Sequence, residues 1–316
     1  MNVRSPQKIN IIVAEAGLRL DRWLKQKFPQ ANYSGLQKLI RKGQIRIEGK
    51  RTQANTILEM GQEVRLPPHL FPLSSPDRTT TPKQTIDPKW VQVIQQAILY
   101  EDDHVLVINK PTGLAVQGGT GTRVSLDEIV HFLPLDCAAD LRLTHRLDKD
   151  TSGVLILAKT ARDAAWITAC FKRNEIEKTY WGLVVGNPQE PEGLIDLPLA
   201  KRPGKTGEKM DVDTLQGVGA RTRYRVKQQN QGISWIEFYP QTGRTHQIRV
   251  HSAALGCPLL GDGKYGGKKA HPFAKRTRIC LHAQSVRLMF PTGETKTFVA
   301  PLPVDMSKTL EWLEFH

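Results

Sequence analysis

The sequence predicts an α+β protein in which two domains are joined by a proline-rich linker. Three segments support this prediction: a compact basic segment at 14–66, a linker at 67–89 that contains six prolines, and a strand-rich segment at 90–316. The last segment shows no regular alternation of strands and helices, so a doubly wound parallel sheet is not expected. A chain of 316 residues is long enough for two domains of ordinary size.

Two helices and two short strands are predicted for the segment at 14–66. Apolar residues recur at helical spacing in GLRLDRWLKQKFP and in YSGLQKLIRKG, where Gly43 marks the end of the second helix. QIRIEGKR is typical of a strand entering a turn, and QEVRLP of another short strand. The residues expected on the buried helix faces are Leu20, Trp23, Leu24, Phe28, Leu36, Leu39 and Ile40.

Cations are concentrated around the second helix and the turn that follows it. Six of them fall within fourteen residues, and the only acid in that stretch is Glu48. A solvated helix face would explain some of these charges, but so high a density favours a surface that contacts phosphates. The six are Lys38, Arg41, Lys42, Arg46, Lys50 and Arg51.

Short β-rich runs bounded by glycine, proline or polar turns dominate the segment after Trp90. A helix and then a strand are expected over QVIQQAILYEDDHVLVINKP, and further strands in GVLILAK, TYWGLVVG and ISWIEFY. ARTRYRVK alternates apolar or small residues with cations, as a half-buried strand does. Its cationic face is either simply solvated or turned toward RNA.

The composition limits the class of partner and the compartment. Lys and Arg outnumber Asp and Glu by 45 to 31, which gives a net charge of +14 and favours a polyanionic partner such as nucleic acid. The four cysteines form no C-x-x-C pair, which argues against a zinc cluster and fits a reducing compartment. No apolar run approaches the length of a membrane span, so we expect a cytoplasmic protein.

The stretch HRLDKDTSGVLILAK at 145–159 resembles the first half of a calcium loop. A calcium loop of this type needs a bidentate glutamate at its twelfth position, and counting from Asp148 that position is Lys159. The calcium interpretation therefore fails, and no metal is expected. What remains is one carboxylate, Asp148, between the cations Arg146 and Lys149. Neighbouring cations keep a partly desolvated carboxylate ionised, as a nucleophile requires, although a turn-capping aspartate fits the same pattern.

The same stretch resembles the signature of the RluA, RluC and RluD group of ribosomal RNA pseudouridine synthases. Companion motifs of that family follow in order along the chain, and the segment at 14–66 resembles an S4 RNA-binding domain. The GGTG at 118–121 is more similar to the RluC branch than to the RluD branch. The motifs are YEDDHVLVINKPTG at 100–113, KTY at 178–180, TGRTHQIRVH at 242–251, LLGDGKYG at 259–266 and LHA at 281–283.

The resemblance implies a fold and a set of roles. It implies a small S4-like α/β RNA-binding domain, then a catalytic domain with a central mixed, mostly antiparallel sheet, without cofactor or metal. Asp148 would be the nucleophile, attacking either the ribose or the base, and Arg249 would pair with it through a bidentate guanidinium. Tyr180 would stack on the base, with a less secure role as general base because a phenol is a poor base at neutral pH. Arg146 would fill the gap left by the flipped base, unless it pairs with a nearby acid.

The predicted function is therefore the isomerisation of uridines in 23S ribosomal RNA or its large-subunit precursor, at several sites as in the RluC branch. Two alternatives stay open at this point. One is a related synthase with RluD-like or transfer RNA targets, because motifs separate these targets poorly. The other is a non-catalytic RNA-binding assembly factor, which the presence of all four chemical residues disfavours. The resemblance further implies a monomer.

Overall fold

A computed structural model describes the chain at residues 7–12, 15–28, 31, 33–68, 86–118, 124–204, 207–273 and 278–316. The chain separates into two compact units, Met1–Lys83 and Gln84–His316. Most of the predicted linker at 67–89, and the GGTG stretch after Gly118, lie outside the described residues. Of the helices in the described part, none is both long and apolar enough to cross a bilayer.

The first unit packs two helices against a small antiparallel sheet of four strands. All apolar residues predicted to face inward do so, with Leu39 only partly buried. The sheet order is β1-β4-β2-β3, and its first strand precedes the predicted segment at 14–66 because Ile9 and its neighbours pair with β4. The elements are β1 (Gln7–Asn10), α1 (Leu20–Lys27), α2 (Tyr33–Arg41), β2 (Arg46–Ile47), β3 (Lys50–Arg51) and β4 (Glu63–Leu66).

The second unit is built on one large mixed sheet. Its described strands follow the order β10-β13-β14-β9-β15-β8-β6-β5, with β16 pairing beside β15 and β7 beside β8. Every described pair in it is antiparallel except β8 with β15, which confirms the mixed, mostly antiparallel sheet. The strands of the large sheet are β5 (Ile98–Glu101), β6 (Val105–Lys110), β7 (Arg142–Leu143), β8 (Ser152–Ala158), β9 (Glu177–Val185), β10 (Glu192–Asp196), β13 (Arg221–Asn230), β14 (Ile233–Pro240), β15 (Leu281–Met289) and β16 (Thr295–Val299). A separate two-stranded sheet consists of β11 (Leu199–Gly204) and β12 (Gly207–Val212).

Helices cover both faces of this sheet at its centre. Because β6 and β8 are buried on both sides, their sequences are continuous apolar runs rather than alternating ones. Leu106 and Leu155 face the core that contains α3 and α4, whereas Val107 and Ile156 face the core that contains α5. The helices are α3 (Pro88–Gln96), α4 (Leu126–Ile129), α5 (Ala161–Arg173), α6 (Gln247–Ala254), α7 (Gly263–Gly266) and α8 (Val304–Trp312).

The parallel pair of β8 and β15 places the signature loop beside the middle of the sheet. Gly153 lies opposite Ala283, and Ala283 lies opposite Tyr180 on the next strand. Gly153 has φ +116°, and a Cβ atom there would overlap the backbone of Ala283. Only glycine therefore permits this approach, which brings the Asp148 loop and Tyr180 within two strand spacings.

We expect Gly153→Ala to lower the free energy of unfolding by about 3 kcal/mol, because left-handed strain and backbone overlap add. Thermal or denaturant unfolding of the purified protein measures this change. Gly113→Ala is the matched control: Gly113 also has positive φ, +81°, but a Cβ there meets no atom within 4 Å. The control isolates the conformational cost, about 1 kcal/mol. Equal losses in the two variants would show that the approach to Ala283 is not tight.

Candidate active site and nucleic-acid interface

The signature segment includes β8 and most of the loop that joins β7 to β8. The first two side chains of this loop, Thr144 and His145, bond to β8. Thr144 donates through Oγ1 to the Ile156 carbonyl at 2.7 Å, and the Ile156 N–H donates to His145 Nε2 at 3.0 Å. These two bonds continue the β7–β8 pairing after its register ends at Leu143 and Leu157. Leu147 is buried in the core, whereas its neighbour Asp148 lines a cleft.

A second segment, NKPTG at 109–113, holds the tip of the loop. The Gly113 N–H donates to the Lys149 carbonyl at 2.9 Å, and Thr112 Oγ1 donates to the Asp150 carbonyl at 3.1 Å. The Thr151 N–H closes a turn onto the Asp148 carbonyl at 3.1 Å. The carbonyl groups of all three tip residues are therefore satisfied, which fixes the backbone that carries Asp148.

Lys110 lies beneath the same tip and is completely buried. Its ammonium donates to the carbonyls of Pro111 at 2.7 Å, Leu114 at 2.8 Å and Lys149 at 3.2 Å. Burial lowers the pKa of Lys110 to about 7, and the carboxylates of Asp150 and Asp148 oppose that change. Three carbonyl acceptors call for three N–H donors, which only the ammonium form supplies.

A neutral histidine holds the far end of the loop. His282 Nδ1 lies 2.9 Å from Ser152 Oγ, and its Nε2 lies 3.2 Å from the Ala300 carbonyl. Burial lowers the pKa of His282 to about 4, so Nε2 carries the proton for Ala300 and Nδ1 accepts from Ser152. Burial, with the charge of Lys178, likewise lowers the pKa of His145 to about 3. Both histidines therefore support the loop as uncharged hydrogen-bonding groups.

The four predicted chemical residues meet in one cleft of about 670 Å³. Asp148 and Arg146 come from the signature loop, Tyr180 from β9 and Arg249 from α6. Polar and cationic side chains complete the walls. Among the lining residues not predicted for this site are Thr168, Lys172, Asn174, Lys178, Arg244 and His246. Such a volume is typical of a site that encloses one small molecule or one extruded nucleoside.

The Asp148 carboxylate is not held by hydrogen bonds from the described residues. Within the described part of the chain, no group donates a hydrogen bond to it, and its side chain is 19% exposed. The closest basic nitrogen is His246 Nε2, which lies 4.0 Å from Asp148 Oδ1. A carboxylate without hydrogen bonds in a partly desolvated cleft keeps its lone pairs available for attack.

The predicted bidentate pair of Arg249 with Asp148 is wrong. The Arg249 guanidinium instead donates from Nε to Asp262 Oδ2 at 2.7 Å and from Nη2 to Asp262 Oδ1 at 2.8 Å. Both side chains are buried, so each charge needs the other close by. Burial opposes the charge of Arg249, but the Asp262 hydrogen bonds and charge, together with Asp148, raise its pKa. Arg249 therefore acts on Asp148 through its field and not through a direct bond.

Tyr180 projects from β9 into the cleft and is half-buried. Burial, and then the negative charge of Asp148, raise the pKa of its hydroxyl. A phenol would need a nearby cation to serve as a base at neutral pH, and here an anion is the charge that acts on it. These surroundings favour stacking on a base over proton abstraction.

Arg146 is exposed at the rim of the cleft, and no carboxylate in the described ranges lies within 4 Å of it. A local salt bridge therefore does not explain this residue. Lys178 lines the same cleft, and burial lowers its pKa. A phosphate of bound RNA would supply the negative charge that both cations lack here.

The cationic face of β13 is mostly neutralised by neighbouring strands. Arg221 contacts Asp196 at 2.8 Å and Arg225 contacts Glu192 at 3.3 Å, both across to β10. Lys227 lies 3.7 Å from Glu237 on β14. The burial alternation predicted for this strand is confirmed, but these ion pairs favour a solvated face over an RNA-facing one.

The first unit presents the second candidate interface, the six cations named above, at the end of α2 and on the β2–β3 hairpin. Five are exposed, and none of the six has a carboxylate of the described residues within 4 Å. Arg46 differs because it is half-buried and donates to the carbonyls of Gly43 and Gly49. Gly43, just after α2, has φ +68°, and the Arg51 side chain from the hairpin lies over it. The cations at the end of α2 are therefore adjacent to those of the hairpin.

Three further residues of the site are not among the catalytic and RNA-binding residues predicted from the sequence. His246, Asp262 and Tyr265 lie within the quoted motifs TGRTHQIRVH and LLGDGKYG, but only their tertiary contacts show what they do. In the same motifs Gln247 and His251 are structural. Gln247 bonds to the Arg221 carbonyl and Thr222 Oγ1, and His251 to Thr222 Oγ1 and the Leu197 carbonyl. Across the described ranges, no three His, Cys, Asp or Glu side chains are grouped to hold a metal.

Comparisons with known proteins show the family to which the chain belongs. The family model for RNA pseudouridylate synthases matches residues 104–254, and the model for S4 domains matches residues 18–64. A protein of Rickettsia typhi named ribosomal large subunit pseudouridine synthase C is 34% identical, covering 85% of this chain and 88% of its own. A protein of Salmonella typhi with the same name is 33% identical over 99% of both chains.

A solved structure supports the same assignment. Human RNA pseudouridylate synthase domain containing 4 is 28% identical with a TM-score of 0.59, covering 72% of this chain and 96% of its own. The fold and the cleft are thus those of an enzyme that isomerises uridine in RNA. The chain belongs to the RluA family of RNA pseudouridine synthases and carries an S4 domain before the synthase domain.

Proposed function

We propose that this chain converts specific uridines of large-subunit ribosomal RNA to pseudouridine in the cytoplasm, with Asp148 as the nucleophile. The target follows the names of the relatives from Rickettsia typhi and Salmonella typhi. The observation that carries the role of Asp148 is its carboxylate, which the described residues leave without a hydrogen bond inside a cleft lined by cations.

The reaction breaks the N1–C1′ glycosidic bond, turns the uracil and joins C5 to C1′. C5 loses its proton and N1 gains one, so the product is an isomer of the substrate. A base inside a duplex cannot enter a cleft of about 670 Å³ with its partner, so the target nucleotide must be extruded. Arg146 stands at the rim, where a planar cation can take the place of the extruded base and contact phosphate. Tyr180 lies within the cleft, where its ring can stack on the uracil.

Asp148 would start the reaction by attacking one of two positions on the nucleotide. Attack on C1′ of the ribose, or on the base itself, splits the exchange into two steps and keeps the uracil in the site between them. Both routes need an ionised oxygen that no protein donor occupies. The ion pair of Arg249 with Asp262 lies behind this carboxylate and places one fixed cation in its field.

We expect Asp148→Asn to abolish pseudouridine formation and to leave RNA binding within about two-fold, since the amide keeps the shape but loses the nucleophile. The test maps pseudouridines in ribosomal and transfer RNA of cells that lack the gene. These cells carry a plasmid that encodes either the wild-type protein or Asp148→Asn. Wild-type protein should restore particular sites in large-subunit RNA, and Asp148→Asn should restore none.

Asp140→Asn is the control, because the Asp140 side chain is exposed and does not line the cleft. It should restore the same sites as the wild type. Restoration by Asp148→Asn would contradict the mechanism, whereas sites restored only in transfer RNA would contradict the target alone.

The exposed cations of the first unit should supply a salt-dependent part of RNA binding. We expect glutamine at Lys38, Arg41, Lys42, Lys50 and Arg51 in the full chain to weaken binding and to flatten its dependence on salt. Each lost phosphate contact should lower the slope of log affinity against log salt by about 0.7–0.9. Titration of labelled RNA over a range of salt concentrations measures the slope.

Glutamine at Lys8 and Lys27 is the control, because these lysines already pair with Glu63 and Glu15. The control should keep the wild-type slope. If the protein with all five glutamine substitutions kept the wild-type slope of log affinity against log salt, phosphate contacts at this surface would be ruled out.

A further inference from the structure

His246 occupies an unusual backbone position beside the proposed nucleophile. It precedes α6 with φ +54°, in the left-handed region, which non-glycine residues seldom adopt. This conformation directs its side chain into the cleft, with Nε2 4.0 Å from Asp148 Oδ1. Strain of this kind persists where the surrounding structure holds it in place, and it is frequent at functional sites.

Tyr265 determines which nitrogen of His246 carries the proton. The Tyr265 hydroxyl lies 2.7 Å from His246 Nδ1 and accepts the Met210 N–H at 3.2 Å. The Met210 N–H can only donate, so among the described residues Nδ1 is the one acceptor that the hydroxyl meets, and the hydroxyl donates its proton to Nδ1. The imidazole proton then sits on Nε2, which faces the carboxylate. The opposite tautomer would turn a lone pair toward Asp148 and repel it.

Arg249 and Asp262 in turn hold Tyr265. The Arg249 guanidinium carbon lies 5.0 Å from the centre of the Tyr265 ring, a cation–π distance. Asp262 Oδ1 caps the short helix α7 by accepting the Lys264 and Tyr265 N–H groups at 3.2 and 3.3 Å. The buried ion pair is therefore connected to Asp148 by way of Tyr265 and His246.

We propose that His246 is a positioning residue that orients the Asp148 carboxylate through its Nε2–H, in the tautomer that Tyr265 imposes. This inference rests on the proposed role of Asp148 as nucleophile. A donor on Oδ1 restricts rotation of the carboxylate and leaves Oδ2 for the substrate. The 4.0 Å gap closes to hydrogen-bond distance once RNA excludes water, as catalytic contacts often do.

A neutral donor suits this task better than a cation. Burial lowers the pKa of His246, and the cations Arg249 and Lys264 act in the same direction against the carboxylates Asp148 and Asp262. The hydrogen bond from the Tyr265 hydroxyl to Nδ1 also favours the neutral ring. An uncharged imidazole orients the nucleophile without neutralising its charge.

Two substitutions at His246 separate orientation from a merely structural role. His246→Asn tolerates the left-handed backbone but is too short to reach Asp148, whereas an amide N–H in His246→Gln can reach it. We expect His246→Asn to lower kcat about 30-fold with KM for RNA within two-fold, and His246→Gln to recover most of that loss. Release of tritium from RNA that contains [5-³H]uridine measures both constants. His104→Asn, outside the cleft, should behave as wild type.

Tyr265→Phe supplies a readout that does not depend on activity. Loss of the hydroxyl should raise the pKa of the His246 imidazole, followed by NMR of its ring protons, and should move the acid limb of the kcat profile to higher pH. His246→Gln should lack this limb. Equal kcat values for the Asn and Gln variants, or an unchanged imidazole pKa in Tyr265→Phe, would overturn the proposal. Wild-type protein that releases no tritium would instead refute the proposed function.

Discussion

One buried ammonium organises the active site. Lys110 donates to the carbonyls of Pro111, Leu114 and Lys149, and so joins the NKPTG segment to the tip of the signature loop. A lysine is rarely buried completely, because removing its charge from water costs several kcal/mol unless it is paired or well bonded. Here three carbonyls offset part of that cost, and the same bonds fix the backbone that carries Asp148. The carboxylate itself can then remain without a hydrogen bond from the described residues.

The side chains that hold the signature loop around Lys110 differ from those that face the substrate. Buried neutral histidines and Gly153 hold the loop against the sheet, while the ion pair of Arg249 with Asp262 lies behind the cleft. The groups that face substrate are few and partly exposed. The buried charges are those of the supporting residues Lys110, Arg249 and Asp262, and each is paired or hydrogen-bonded. The nucleophile Asp148 is only partly buried and stays reactive.

Patterns along the chain predicted the helix faces of the first unit, the strands β6, β8, β9, β13 and β14, and the position of Asp148 just before a strand, because burial periodicity and local charge are encoded in neighbouring residues. They did not predict β1, β10 or β15, whose pairing partners lie far away along the chain. The partner of Arg249 was wrong for the same reason: Asp262 lies thirteen residues away and is brought close only by the tertiary fold. His246 was assigned no chemistry because its left-handed backbone and its contact with Tyr265 leave no local signal.

The rate of pseudouridine formation by Lys110→Met tests the central claim most directly, since methionine keeps the length of the side chain but removes its donors. At a temperature where the variant is folded by circular dichroism, the account predicts a single-turnover rate at least about ten-fold below wild type. Lys89→Met, which changes an exposed lysine outside the cleft, should keep the wild-type rate. A folded Lys110→Met protein with the wild-type rate would contradict the claim that this ammonium positions Asp148.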